Sequence, residues 1–351
     1  MEICRVDAQC QARWNQFVRQ HYPPVGAFMQ TWEWGAFQEE LGRKVERYFM
    51  TDANATVAAF TFVSHQLPFN LSYAYIPRGP VITARTAGRA GTLDIFRSIQ
   101  AWIREENRPG MIFVRMEPPL SSMPPDLSKY GFRAPLYYVQ PRHNHTIVLD
   151  GTEQEIVARF HPSTRSNIRR AEQRGVTAEL KRGIEETDVD TFFQMARQTI
   201  HRNSGKNVYP QRAYFDALTQ AIPSVADDYD PARLSLGAFC AYEHGRPAAT
   251  HFVLFFGDTA TYLYGASFTD SLRSKAASYL HWAAMREAKR KGLKHYDLGG
   301  VDEARWPTLT RFKRQFRGKE FSYVGNIDIP ARPALYRAYN IVRRFREFFI
   351  A

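Results

Sequence analysis

The sequence predicts a mixed α/β (α+β) protein of two domains built on a related plan, and three observations predict it. The chain has 351 residues, more than one hydrophobic core usually serves. Apolar residues make up 44% of it and aromatic residues 14%, enough to fill packed cores and too much for a disordered chain. An order of strand, helix, strand, opened each time by a Tyr-x-Tyr strand, occurs twice. Short β-branched or aromatic runs alternating with helical runs are the pattern of α/β architecture.

The first such unit begins with the strand Leu71-Ser-Tyr-Ala-Tyr-Ile-Pro-Arg-Gly-Pro80. A helix follows, with Ile95, Phe96, Ile99, Trp102 and Ile103 at helical spacing, and then the strand Met111-Ile-Phe-Val-Arg-Met-Glu117. Between the halves, His161-Pro-Ser-Thr-Arg-Ser-Asn-Ile-Arg-Arg-Ala-Glu-Gln-Arg-Gly175 reads as a short helix. Pro162 suits its first turn and Gly175 the position just beyond its last. Its arginines make either a solvated face or a surface for phosphates, with Arg165 and Arg169 on one side.

The second unit begins with Thr261-Tyr-Leu-Tyr-Gly-Ala-Ser267, in which Tyr262 and Tyr264 alternate from Leu263 and are expected on one side of the strand. Its helix holds Trp282 and ends in Lys289-Arg-Lys291 before Gly292, cations at the negative end of the dipole followed by a residue free to take positive φ. The strand Lys294-His-Tyr-Asp-Leu298, the turn Leu298-Gly-Gly-Val301 and Arg311-Phe-Lys-Arg-Gln-Phe316 complete it. From Pro333 the tail reads as an amphipathic helix with Leu335, Tyr339, Val342, Phe345 and Phe349 on one face and Arg337, Arg343, Arg344 and Arg346 elsewhere. Such a helix docks on its own protein or, being basic, on an anionic lipid surface.

The formal charge of +12 points to a polyanionic partner: nucleic acid, a nucleotide-linked substrate or a membrane surface. Cys4, Cys10 and Cys240 have neither the density of a disulfide framework nor a CxxC pair, which fits a reducing compartment. The amino terminus lacks a signal pattern and no apolar run approaches the ~20 residues of a membrane span, so a cytoplasmic location is expected. There is no Walker-type loop, no GxGxxG after a strand and no GxSxG elbow. His143-Asn-His145 has no matching ligand cluster, so no metal is expected. The loop Gly265-Ala-Ser-Phe-Thr-Asp-Ser-Leu-Arg-Ser-Lys275 lacks the glycine-rich run that would offer backbone N–H groups to a coenzyme A pyrophosphate.

An ordered set of short motifs then carries a resemblance: Gln30-Thr-Trp-Glu-Trp-Gly-Ala-Phe37, Pro77-Arg-Gly-Pro80, Ser166-Asn-Ile-Arg-Arg-Ala171 with Gly175, Tyr262-Leu-Tyr-Gly-Ala-Ser267, Tyr296-Asp-Leu-Gly-Gly300 and Phe312-Lys-x-x-Phe316. In this order the chain resembles the FemABX aminoacyltransferases, which extend peptidoglycan precursors with amino acids taken from aminoacyl-tRNA. The resemblance implies two tandem N-acetyltransferase-like (GNAT) domains forming a cleft: residues 1–150, to which 325–351 return, and 151–324. It implies the compact type without a helical hairpin, and no cofactor, aminoacyl-tRNA being a co-substrate. The acceptor would be UDP-MurNAc-pentapeptide or a lipid-linked precursor, with interpeptide bridge formation as the outcome. A monomer is expected, with peripheral contact at the inner leaflet as an option for the basic tail.

The resemblance also assigns residues. Lys313 matches a lysine near the transfer site, where a cation would stabilise the oxyanion formed as an amine attacks the aminoacyl ester. Glu117 falls where an acidic residue stands near the acceptor and would orient or deprotonate the amine. Tyr262, Tyr264, Phe312 and Trp34 are expected to line the precursor site, and Arg202, Lys206, Arg212 and Tyr214 to contact its phosphates. Gln38 stands where relatives often carry lysine, with Arg43 or Lys44 near enough to compensate. Arg165, Arg169 and Arg170 would meet tRNA phosphates. Two other readings stay open: the same fold using another acyl donor such as an acyl-CoA, and a non-catalytic module that binds RNA or membranes.

Overall fold

The computed structural model describes residues 1–23, 25–202, 207 and 209–350, with the backbone alone described at 89 and 346–350. The chain divides into two compact units. One comprises Met1–Pro23, Met29–Arg142 and Ser322–Ala351, the other Pro24–Phe28 and His143–Phe321.

The first unit runs β1 (Glu2–Val6), α1 (Gln11–His21), α2 (Trp32–Glu40), β2 (Lys44–Asp52), β3 (Ala55–Leu67), β4 (Leu71–Ile76), β5 (Val81–Ile82), α3 (Arg89–Glu106) and β6 (Met111–Met116). The second runs β7 (His143–Val148), α4 (Glu153–Arg159), α5 (Pro162–Gln173), β8 (Val176–Leu180), α6 (Glu186–Arg202), α7 (Arg212–Ala221), β9 (Ser235–Glu243), β10 (Arg246–Phe256), β11 (Thr259–Ser267), α8 (Ala276–Arg290), β12 (His295–Val301), α9 (Pro307–Arg314) and β13 (Lys319–Ser322). The chain then closes with β14 (Ile327–Pro330) and α10 (Pro333–Ile350), back on the first unit.

The two sheets share one plan. In the order β1-β2-β3-β4-β6-β14 every pair is antiparallel except β4 with β6, which α3 connects as a parallel crossover. In the order β8-β9-β10-β11-β12-β7 every pair is antiparallel except β11 with β12, connected by α8. A parallel pair needs such a crossover because a hairpin cannot return the chain in the same direction. The likeness of the two Tyr-x-Tyr segments is therefore a likeness of topology.

The division falls at Arg142 rather than at residue 150, because β7 hydrogen-bonds along β12, from His295↔Val148 to Val301↔His143. Each unit has its own core. In the first, Ile95, Phe96, Ile99 and Ile103 of α3 pack on Phe60, Phe62 and Val114. In the second, Leu280, Ala284 and Ala288 of α8 pack on Val253, Phe255 and Tyr296. Gly175 and Gly292 sit just past α5 and α8 at φ of 70° and 80°, the left-handed conformation that closes a helix at little cost only in glycine.

Helix α10 lies against β6 through Tyr336 and Tyr339, whose rings stand 5.3 and 5.1 Å from Phe113. The docked stripe is thus not the expected one: Tyr339 belongs to it, whereas Leu335, Val342 and Phe345 are exposed. The Phe349 side chain lies outside the described residues. No described helix is long and apolar enough to cross a membrane.

Candidate active site

Strand β12 reads His295-Tyr-Asp-Leu-Gly-Gly-Val301, and its chemistry follows from an interruption of its ladder. Against β7 the register slips between Asp297 and Gly300, so an extra residue bulges out on β12. Gly299 takes a φ of 77° there. A Cβ at that position would stand 3.4 Å from the Tyr262 carbonyl oxygen and 3.7 Å from Lys313 Nζ. Asp297, with no exposed surface, turns its carboxylate into the bulge. Its Oδ1 accepts from the Gly299 N–H at 2.8 Å and from Thr146 Oγ1 at 3.3 Å, and its Oδ2 from Asn144 Nδ2 at 2.8 Å.

Lys313 reaches this bulge from α9, a helix that Pro307 opens at its first turn, where a missing N–H costs nothing. The side chain is 6% exposed, and Nζ donates to the Gly300 carbonyl oxygen at 2.7 Å. Burial disfavours the ammonium and the nearby Asp297 charge favours it; burial wins and pushes the lysine down to about 8. An ammonium has three donors, and Gly300 engages one of them. A cation held in a water-poor site on a fixed carbonyl suits the stabilisation of a developing oxyanion.

Aromatic rings cluster around His281, whose imidazole feels the Lys313 charge. His281 of α8 stands 4.7 Å from Tyr262, 4.2 Å from His251, 5.7 Å from Phe312 and 5.5 Å from Phe316, ring centre to ring centre. Its Nδ1 lies 3.1 Å from the Tyr296 hydroxyl. Burial holds both imidazoles neutral: His251 falls to about 3, and His281 lies well below its ordinary value, with His251 and Lys313 adding to the effect. His251 Nδ1 is buried without a hydrogen-bond partner.

Tyr262 and Tyr264 do not face one side, as alternation predicts. The β10–β11 register shifts between Phe252 and Val253, pairing Phe252 with Tyr264 but Val253 with Tyr262 and skipping Leu263. The extra residue resets the alternation. Tyr262 therefore meets His281 of α8, whereas Tyr264 packs with Tyr214 and Phe215 of α7 at 5.8 and 5.2 Å. Phe312 joins the Tyr262 side, 5.6 Å from Phe316.

The residues expected at phosphates are scattered. Arg212 is held by Asp216 at 2.8 Å, by Asp190, and by Glu186 at 3.5 Å; three carboxylates from α6 and α7 already answer its charge. Arg202 donates to Thr269 Oγ1 at 2.7 Å and to the Ser267 carbonyl oxygen at 3.0 Å, fastening the turn that leaves β11. Lys206 lies outside the described residues. Arg165 does not share a free face with Arg169: its guanidinium donates to the carbonyls of Ala158 and Phe160 at 3.0 and 2.8 Å, satisfying the end of α4. Arg169 and Arg170 are exposed. Arg170 lines a concavity with Gln173, Arg174, Arg273 and Lys275, where the last turn of α5 meets the start of α8. His145 is a strand histidine, accepting the Gly318 N–H at 3.0 Å and pushed by burial to about 4. Among the described residues no three His, Cys, Asp or Glu side chains gather as metal ligands.

In the first unit, Glu117 has no exposed surface. It accepts from the Tyr75 hydroxyl at 2.5 Å and lies 3.9 Å from Arg78 Nη1. Arg78 donates onward to the Pro141 carbonyl at 2.7 Å and lies 4.5 Å over the Tyr323 ring. Burial raises the Glu117 carboxyl above its ordinary value, against the pull of Arg78. In this structure Glu117 holds Arg78 and Tyr75 in place. Gln38 is buried and accepts from Arg43 Nη1, so Arg43 is occupied in fixing Gln38. Lys44 lies 3.7 Å from Glu46. Trp34 is buried against Phe37, with ring centres 4.8 Å apart.

Comparison with known proteins gives the same order of parts. The acetyltransferase (GNAT) domain family matches residues 162–314. Over 94% of its length, and 96% of the relative's, the chain is 26% identical to the UDP-N-acetylmuramoylpentapeptide-lysine N(6)-alanyltransferase of Weissella viridescens. The chain is thus similar, along nearly all its length, to a transferase of the kind its ordered motifs resemble. The crystal structure of FemX superposes with a TM-score of 0.78 at 18% identity, covering 97% of this chain and all of that one. The L-PGS structure from Bacillus licheniformis has a TM-score of 0.52 at 9% identity, covering 96% of both chains. A tandem GNAT protein from the clavulanic acid pathway has 0.53 at 8%, covering 94% and 98%. These last three likenesses speak to the tandem GNAT fold.

The sequence singles out Lys313 but not what holds it. Asp297 lies inside the Tyr296-to-Gly300 motif, yet the motif alone gives it no role; a carboxylate in an otherwise apolar strand is the signal that finds it. His251 and His281, each inside an apolar run, carry the same signal. Asn144 has none, since only the pairing of β7 with β12 brings it to Asp297.

Proposed function

We propose that the protein transfers an amino acid from aminoacyl-tRNA to the side-chain amine of a lysine or similar diamino acid in the stem peptide of a peptidoglycan precursor. The observation that carries this reading is the similarity, along 94% of the chain, to an enzyme that alanylates lysine N6 of such a precursor. In the reaction the acceptor amine attacks the ester carbonyl carbon. The new C–N bond forms, the ester C–O bond breaks, and the proton lost by the amine ends on the ribose oxygen that leaves. The ester is already activated, so the protein need only orient the amine and screen one developing charge. Lys313 is assigned to that charge, with Asp297 and the Gly300 carbonyl fixing its position. Tyr262 and Phe312 are assigned to the wall of the site. Glu117 is assigned to orienting Arg78 and Tyr75 rather than to meeting the amine. Arg169 and Arg170, with Arg174, Arg273 and Lys275, are assigned to donor phosphates. The reaction is assigned to the cytoplasm, with a single chain as the working unit.

The test is transfer of labelled amino acid from a pool of charged tRNAs onto UDP-MurNAc-pentapeptide and, in parallel, onto lipid-linked precursor, with ribonuclease-treated controls. Ribonuclease-sensitive label on either acceptor is expected and names the acceptor class. No label on either overturns the reading, and label from an acyl-CoA instead would transfer the site to another donor.

A further inference from the structure

The described side chains of α10 that contact its unit lie along one side. Tyr336 donates from its hydroxyl to Asp328 Oδ2 at 2.9 Å, the Tyr339 hydroxyl lies 3.4 Å from that of Tyr137, and the Arg343 guanidinium stacks 4.6 Å over the Tyr137 ring. Residues three, four and seven apart share one face of a helix, so these interactions use up that face. At about 100° per residue, Ile341 and Phe345 point the other way, and Val342 lies on the flank between them and Tyr339. Ile341, Val342 and Phe345 are 55%, 57% and 63% exposed. A docked helix ordinarily shows polar residues on its outer side; this one shows Ile341, Val342 and Phe345, with exposed Ala334 and Ala338 nearby.

The charges bordering that face select what covers it. Arg337 and Arg344, both exposed and seven residues apart, run along one edge. From Arg332 to Phe345 there are four arginines and no carboxylate. A second copy of the chain packed face to face would bring like charges together along the seam. An anionic bilayer surface meets both features at once, apolar side chains entering the headgroup boundary and guanidinium groups reaching lipid phosphates. We propose that α10 docks the protein on anionic lipid through Ile341, Val342 and Phe345, with Arg337 and Arg344 on headgroup phosphates. The proposal is independent of the transferase reading.

The test is co-sedimentation of the full chain with vesicles of phosphatidylcholine alone and of phosphatidylcholine and phosphatidylglycerol in equal parts. Binding to the mixed vesicles only, weakened by salt, is expected. Each arginine near such a surface contributes about fivefold, so Arg337→Gln with Arg344→Gln should weaken binding by more than ~10-fold. Val342→Glu with Phe345→Glu should abolish it while circular dichroism and thermal melting stay at wild type, because neither side chain is buried. Absence of binding to the mixed vesicles, or both pairs of substitutions binding like wild type, overturns the proposal. So does concentration-dependent dimerisation in equilibrium sedimentation that the glutamate pair removes, an outcome that would give the face to a second copy.

Discussion

At the scale of the residue, Lys313 sets a pH dependence. In the proposed reaction the acting form is the ammonium, and burial brings its pKa down to about 8. Turnover that needs the cation is therefore complete below that pH and lost as pH rises through it. A kcat profile corrected for spontaneous ester hydrolysis should fall with an apparent pKa near this value; a flat or rising profile would assign the work to another group or to the neutral amine. Stability runs the other way. Between the folded value and the ordinary lysine value of about 10.4 the unfolded chain binds more protons, so stability rises with pH over that window. Lys313→Met should remove this rise and lower kcat by ~100-fold or more, as steady-state kinetics would read. The fold should survive, because Asp297 keeps Asn144, Thr146 and the Gly299 N–H as partners. Wild-type kcat in the methionine variant would remove Lys313 from the mechanism.

At the scale of the element, two strand irregularities and one helix junction do the positioning. The bulge in β12 turns a backbone carbonyl toward Lys313, and the skipped Leu263 in β11 sends Tyr262 and Tyr264 to different helices. The junction of α5 with α8 collects cations that are far apart in sequence, Arg170 and Arg174 at the end of α5, Arg273 and Lys275 in the turn leading into α8. If these meet RNA phosphates, each phosphate left without its cation should flatten the slope of log K against log salt by about 0.7 to 0.9. Filter binding of charged tRNA to the Arg170→Ala, Arg273→Ala double variant should show both weaker binding and a slope shallower by more than ~1. An unchanged slope would leave α5 a solvated helix.

At the scale of the whole molecule, the first unit is completed by the last segment of the chain. Arg115 of β6 holds Asp328 of β14 through two hydrogen bonds, Nε to Oδ1 at 2.7 Å and Nη2 to Oδ2 at 2.8 Å. Both side chains are buried, and Tyr336 of α10 donates to the same carboxylate. Removing one member strands a charge in a dry interior, so Asp328→Ala should destabilise the first unit by ~3–5 kcal/mol. Urea unfolding followed by tryptophan fluorescence would measure it, Trp14, Trp32, Trp34 and Trp102 all lying in that unit. A loss under ~1 kcal/mol would mean that the pair is not what ties the tail down.

What the residues determined by themselves was local. Two strand–helix–strand repeats and the ends of α5 and α8 at their glycines follow from short-range pattern, because propensity, periodicity and capping act over a few residues, and the order of short motifs carries the family resemblance. The tertiary structure alone decided the rest. The faces of Tyr262 and Tyr264 depend on a bulge, the Arg165 guanidinium on the carbonyls of a neighbouring helix, and the exclusion of Glu117 and Trp34 from solvent on packing. The docked side of α10 was decided by Phe113, more than two hundred residues earlier. Each of these is a choice between partners distant in sequence, and no local preference carries the energy that makes it.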